Sequence, residues 1–173
     1  MTEKQRAEDQ LRKQVKYRLD NDKDLRGYAL KADVVGEEVR VEGVVDTLKE
    51  KQRVESLLRS IPGVKTVASA VSISTDGAIT TQDVTMEAQE EMQLDKRVDP
   101  YHIGAESIGG HGTVVLRGRT DDPEELEAAI RSASQARGVT RVLNQVKTGP
   151  EEMTLEDIFH SQVNNDQLNN RPE

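Results

Sequence analysis

The chain has no cysteine and no tryptophan, and only one phenylalanine and three tyrosines in 173 residues. Without cysteine there is no disulfide framework, no thiol nucleophile and no thiolate metal site. Aromatics make up 2% of the residues, so any core must be built from aliphatic side chains. No run of about 18 apolar residues occurs, which removes the usual signal for a membrane-spanning helix. Residues 1–9 are polar and carry no apolar export segment, so a cytoplasmic location is expected.

Catalytic chemistry is equally thin. His102, His111 and His160 share no HExxH or other metal-binding spacing, and no Ser-His-Asp frame surrounds them. Asp99, Tyr101 and His102 cluster locally and read as an exposed loop. Gly109, Gly110 and Gly112 flank His111 between two predicted strands, where a hairpin turn is expected and not a phosphate cradle. Asp20, Asp22 and Asp24 imitate the opening of an EF-hand loop. However, Leu25 stands where that loop needs glycine, and Lys31 where it needs glutamate, so the stretch reads as a helix stop and turn. Asp121, Asp122, Glu124 and Glu125 lie at a predicted helix start, where they complement its dipole. No enzyme and no side-chain cofactor site is expected. An alkali ion, which backbone carbonyls can ligate without any side-chain motif, is left open.

Charged residues make up 32% of the chain and the net charge is −8. Residues 1–75 hold 15 Lys and Arg against 13 Asp and Glu; residues 76–173 hold 9 against 19. An acidic second half argues against nucleic acid, whose phosphates need a basic surface.

What is present is a repeat. Residues 36–73 match residues 111–148 at an offset of 75: Val39, Val41, Gly43 and Asp46 meet Val114, Leu116, Gly118 and Asp121. Gly63 and Val64 likewise meet Gly138 and Val139. Upstream the offset is 73, so that Leu11, Val15, Leu19, Asp22, Leu25 and Leu30 meet Val84, Ala88, Met92, Asp95, Val98 and Ile103. The two extra residues fall in the glycine-rich turn, where insertion costs least.

Leu11, Val15 and Leu19 line one helix face over about residues 6–19. Strands are expected at 30–35, 38–45 and 64–73, with a helix from Asp46 or Thr47 to about Ser60 between the last two. Val64 is out of phase with Val67, Val71 and Ile73, so the third strand's start is ambiguous. After a linker at 74–82, the second copy repeats the order: helix 82–94, strands 103–108 and 113–120, a helix opened by Pro123, and a strand at 139–146. The fold class is α+β, two α-β-β-α-β modules, each a three-stranded mixed sheet with two helices on one face. The sheet's other face is left open, and two such sheets can cover one another. The modules span 7–75 and 82–148. Residues 149–173 form a polar tail, expected to hold one short helix and then disorder.

This pattern resembles the BON domain, named for bacterial osmotically inducible and nodulation proteins. The carrying residues are the hairpin strand from Val39 to Val45 with Ile61-Pro62-Gly63-Val64, and their repeats Val114 to Thr120 and Ala136-Arg137-Gly138-Val139. Asp22 with Leu25, and Asp95 with Val98, match the family's upstream Asp-x-x-Leu. The resemblance covers about residues 7–147 and implies a non-catalytic module. Relatives are envelope proteins linked to osmotic stress, phospholipid binding and chaperone-like activity, and a cytoplasmic branch with a LysM module binds potassium. In phospholipid-binding relatives the second module's first helix touches lipid. Here that stretch, Glu87 to Met92, is acidic and has no aromatic.

The expected function is a tandem binding or scaffold protein in a stress or envelope setting. Its partner is a protein or an anionic membrane surface, and self-association is open. The alternative is a cytoplasmic potassium or small-ligand sensor. Candidate contact residues are Arg12, Lys13 and Lys16 on the first helix, and Leu155, Ile158 and Phe159 in the tail, spaced for one helix face.

Overall fold

The computed structural model describes residues 1–74 and 79–149. In the first module, α1 (Glu3–Asn21) leads to the hairpin of β1 (Lys31–Val35) and β2 (Glu38–Val45). Then come α2 (Leu48–Arg59) and β3 (Thr66–Ile73). The second module repeats the order with α3 (Thr81–Leu94), β4 (Ile103–Ile108), β5 (Thr113–Arg119), α4 (Pro123–Gln135) and β6 (Arg141–Lys147). Each sheet has its middle strand antiparallel to the hairpin partner and parallel to the last strand. The hairpin imposes the first relation and the helical crossover the second. The α+β reading therefore holds, module by module.

Differences from expectation sit at element ends. Helix α1 starts at Glu3, three residues before the expected start, because Thr2 and Gln5 form a capping box, with Gln5 N–H donating to the Thr2 hydroxyl at 3.3 Å and Thr2 N–H to Gln5 Oε1 at 2.9 Å. Thr80 and Asp83 do the same for α3. The third strand begins at Thr66. Val64 belongs to the preceding turn, its N–H on Ile61 O at 3.1 Å, which explains its broken phase. The last strand of each module enters its sheet by the same contact. Lys65 and Thr66 N–H donate to Glu37 O, and Thr140 and Arg141 N–H donate to Gly112 O, the residue 75 positions on.

Two aliphatic cores result. Leu11, Val15 and Leu19 of α1 and Val54, Leu57 and Leu58 of α2 close over Val39, Val41 and Val71. The second core sets Val84, Ala88 and Met92 of α3 and Ala128, Ala129 and Ala133 of α4 against Ile103, Val114 and Leu116. Each fully buried Val or Leu contributes about 1.5–3 kcal/mol and an alanine far less. The fully buried apolar residues of α4 are thus all alanines, with Leu126 and Ile130 only partly buried beside them, and α4 is a thinner cover than α2. The deficit is met from the first module, since Leu48, the first residue of α2, is buried in the second core. Ile73 packs on both cores, and Lys49 Nζ reaches Gln135 Oε1 at 3.0 Å. The modules therefore meet helix to helix. The sheets do not cover each other: on the outer face of the first, Lys31, Asp33, Arg40, Glu42, Ala68 and Ala70 are exposed.

Candidate interaction surfaces

The outer face of the first sheet is a trough floored by Ala68 and Ala70 and walled by Lys31, Asp33, Arg40 and Glu42. Strand alternation puts these residues there: Val39, Val41 and Val45 must face the helices, so Arg40 and Glu42 face out. The register sets Asp33 beside Arg40 and Lys31 beside Glu42, opposite charges across the hairpin. The trough ends at β3, Thr66-Val67-Ala68-Ser69-Ala70-Val71-Ser72-Ile73, which pairs only with β2 among the described strands.

Of the residues singled out from sequence, Arg12 is engaged within its own module. Its guanidinium reaches Asp9 at 2.9 Å, Asp33 at 3.1 Å and the Val34 carbonyl at 3.1 Å, so it ties α1 to β1. Asp33 is held below the usual carboxylate range, first by the Val34 N–H and then by Arg12. Lys13 and Lys16 are exposed on α1. Leu155, Ile158 and Phe159, together with His160, lie outside the described residues.

The aspartates that imitate an EF-hand end a helix instead. Asp22 accepts the Asp24 N–H at 3.1 Å, an Asx turn. It also receives Arg53 from α2 at 2.7 Å, so a cation of the same chain occupies the carboxylate. Burial raises its pKa, but Arg53 and the backbone donors outweigh that and the net shift is downward. Asp95 makes the equivalent turn with Arg97. Among the described residues no three His, Asp or Glu side chains converge on a metal position.

Glu125 does more than complement a dipole. It is 5% exposed and accepts from the Thr120 hydroxyl, from the Asp99 N–H at 2.8 Å and from His102 Nδ1 at 3.1 Å. Asp99 and His102 are thus brought together, and Tyr101 joins them through its N–H, which donates to Asp99 at 2.9 Å, while the residue is 96% exposed. Sequence reading missed this because a glutamate two residues after the N1 proline normally faces water. The available hint was Thr120, a hydroxyl donor three residues before the helix.

Burial pushes the Glu125 pKa up, but the three donors more than compensate and the net direction is down. The ionised form is therefore the folded form's partner. Its contribution is complete above the unfolded glutamate pKa of about 4.3 and is lost as pH falls through the lower folded value. Glu125→Gln should cost about 1.5–3 kcal/mol at neutral pH. The gap between variant and parent should close below about pH 4, as read in urea melts across pH. A gap that stays constant with pH would remove the ionised network.

No curated protein matches the chain. Two solved structures of CdsD, a structural protein of the type III secretion system of Chlamydia trachomatis, resemble it at 13% identity and a TM-score of 0.34. One match covers 95% of this chain and 70% of that one; the other, to the C-terminal domain, covers 82% and 67%. The BON domain matches twice, over residues 7–75 and 80–150, once on each α-β-β-α-β unit. The chain belongs to the BON family, whose domains are non-catalytic binding modules.

Proposed function

We propose that this chain is a tandem BON scaffold that binds a protein partner by strand addition to β3, with the trough beside it reading the partner's side chains. The observation that carries the reading is the composition of that edge. Its eight residues include no charge and no proline. The other edges are guarded: β1 by Lys31 and Asp33, β4 by Glu106, and β6 by Arg141 and Lys147. Charged edges resist added strands and an uncharged one invites them. Ala68 and Ala70 leave room above the sheet, and the Arg40 and Glu42 walls offer charges of both signs for register.

The test uses the full chain and an Ala68→Lys/Ala70→Lys variant, captured on cell lysate and followed by hydrogen exchange on the recovered complex. Strand addition predicts slowed exchange over Thr66–Ile73 and at least tenfold weaker capture by the variant, the loss expected of two charges on a paired edge. Equal capture by both proteins, with β3 exchanging freely, defeats the reading.

A second reading rests on Lys13 and Lys16, exposed side by side on α1 in the less acidic half of the chain. These fit an anionic membrane surface in an envelope or stress setting. Cosedimentation with phosphatidylglycerol vesicles at low salt, abolished by Lys13→Glu/Lys16→Glu, is its expected signature. No sedimentation of the parent chain at low salt rejects it.

A further inference from the structure

The outer face of the second sheet differs from that of the first. At the repeat positions of Asp33, Arg40 and Ala68, which form one row across the first sheet, the second carries Glu106, Val115 and Leu143. Arg40 has 63% of its side chain exposed, as a central residue on an open face should. Val115 is 1% exposed. It belongs to neither core, because its side chain leaves the sheet opposite to Val114 and Leu116. Arg117, the next outward residue on β5, leans to Glu106 at 2.9 Å and Gln145 at 3.3 Å and stays 59% exposed. Something covers Val115 that does not cover Arg40.

The path of the chain indicates what does. Beyond β6, Gly149 N–H donates to Asp121 at 2.8 Å and its carbonyl accepts from Arg119 Nη1 at 2.5 Å. Arg119 stands on the same face as Val115 and Arg117, so the chain is held toward that face where 24 residues, 150–173, remain. They hold six acids against one base, whereas the face is rimmed by Arg117, Arg119, Arg141 and Lys147. Leu155 follows Gly149 by six residues, a reach of about 20 Å when extended. Val115 lies about 13 Å along the strand from Arg119.

We propose that the chain's own C-terminal segment covers this face, with Leu155, Ile158 and Phe159 seated over Val115 and Leu143 and the flanking acids facing the arginines. The second module is then closed on both faces, and the first keeps the open one. This inference does not rest on strand addition at β3.

Because the chain lacks tryptophan, Phe159→Trp gives a single-site fluorescence probe in the full-length protein. Docking predicts blue-shifted emission, several-fold protection from acrylamide, no change on dilution, and a return to solvent-like emission when Val115→Lys is added. The lysine is compatible with folding, since Arg40 occupies the equivalent place, and circular dichroism verifies it. Solvent-like emission from Phe159→Trp alone overturns the proposal. So does a blue shift indifferent to Val115→Lys, which places the segment elsewhere, or one lost on dilution, which makes the occupant a second copy.

Discussion

Gly118→Ala should destabilise the protein by about 3–4 kcal/mol, while Gly43→Ala at the equivalent position costs only about 1–2 kcal/mol. Both glycines have backbone angles that other residues rarely adopt, φ +135° at Gly118 and +151° at Gly43, so both substitutions carry that strain. The surroundings differ. A Cβ on Gly43 meets the tip of the Leu30 side chain at 2.7 Å, and the nearest backbone atoms are 3.4 Å away. A leucine tip can rotate aside. A Cβ on Gly118 falls 1.9 Å from the His102 carbonyl oxygen. That oxygen accepts the Arg119 N–H at 2.9 Å, and moving it pulls the first residue of β4 and the His102 contact to Glu125. Urea midpoints of the two variants measure the difference. Equal losses would mean that the second hairpin yields as readily as the first.

Most of this architecture is legible in the residues because apolar residues alternate along most strands and recur on one face of the helices. Leu11, Val15 and Leu19 declare α1 whatever they pack against, and the fixed offset makes each module a check on the other. The capping pair of Thr2 and Gln5 is also readable, although it lies outside the apolar period. The surfaces are less legible. Arg12 reads as one cation in a strip, yet β1 brings Asp33 and the Val34 carbonyl to it from 21 and 22 residues away. Glu125 reads as a helix-start acid, and the approach of Asp99 and His102 adds two donors to the one it has in the Thr120 hydroxyl. These partners are set by tertiary packing, which local pattern does not encode. The exchange of Arg40 for Val115 between copies was a readable signal. An apolar residue on a face that its sister module keeps charged marks a covered surface.

The helix-to-helix junction was not legible either, and it has the second large consequence. Leu48 starts a helix of the first module and is buried in the core of the second. The buried apolar residues that α4 gives to that core, Ala128, Ala129 and Ala133, are all small. Leu48→Asp should therefore remove about 3 kcal/mol or more from the second module, combining the lost leucine with a carboxylate left in an apolar site. The first module should be spared. Residue 48 is the first of α2, where an acid suits the helix dipole, and Thr47 still caps through Glu50. Calorimetry of the parent chain should show one transition, because each module's melting exposes the other's contact. The variant should show two, the earlier belonging to the second module, while Leu48→Met keeps the single transition. If Leu48→Asp melts in one unshifted step, the junction contributes nothing to stability. Two steps with the second module first would identify α2 as a structural member of both modules, and any ligand that shifts α2 would be felt across the junction.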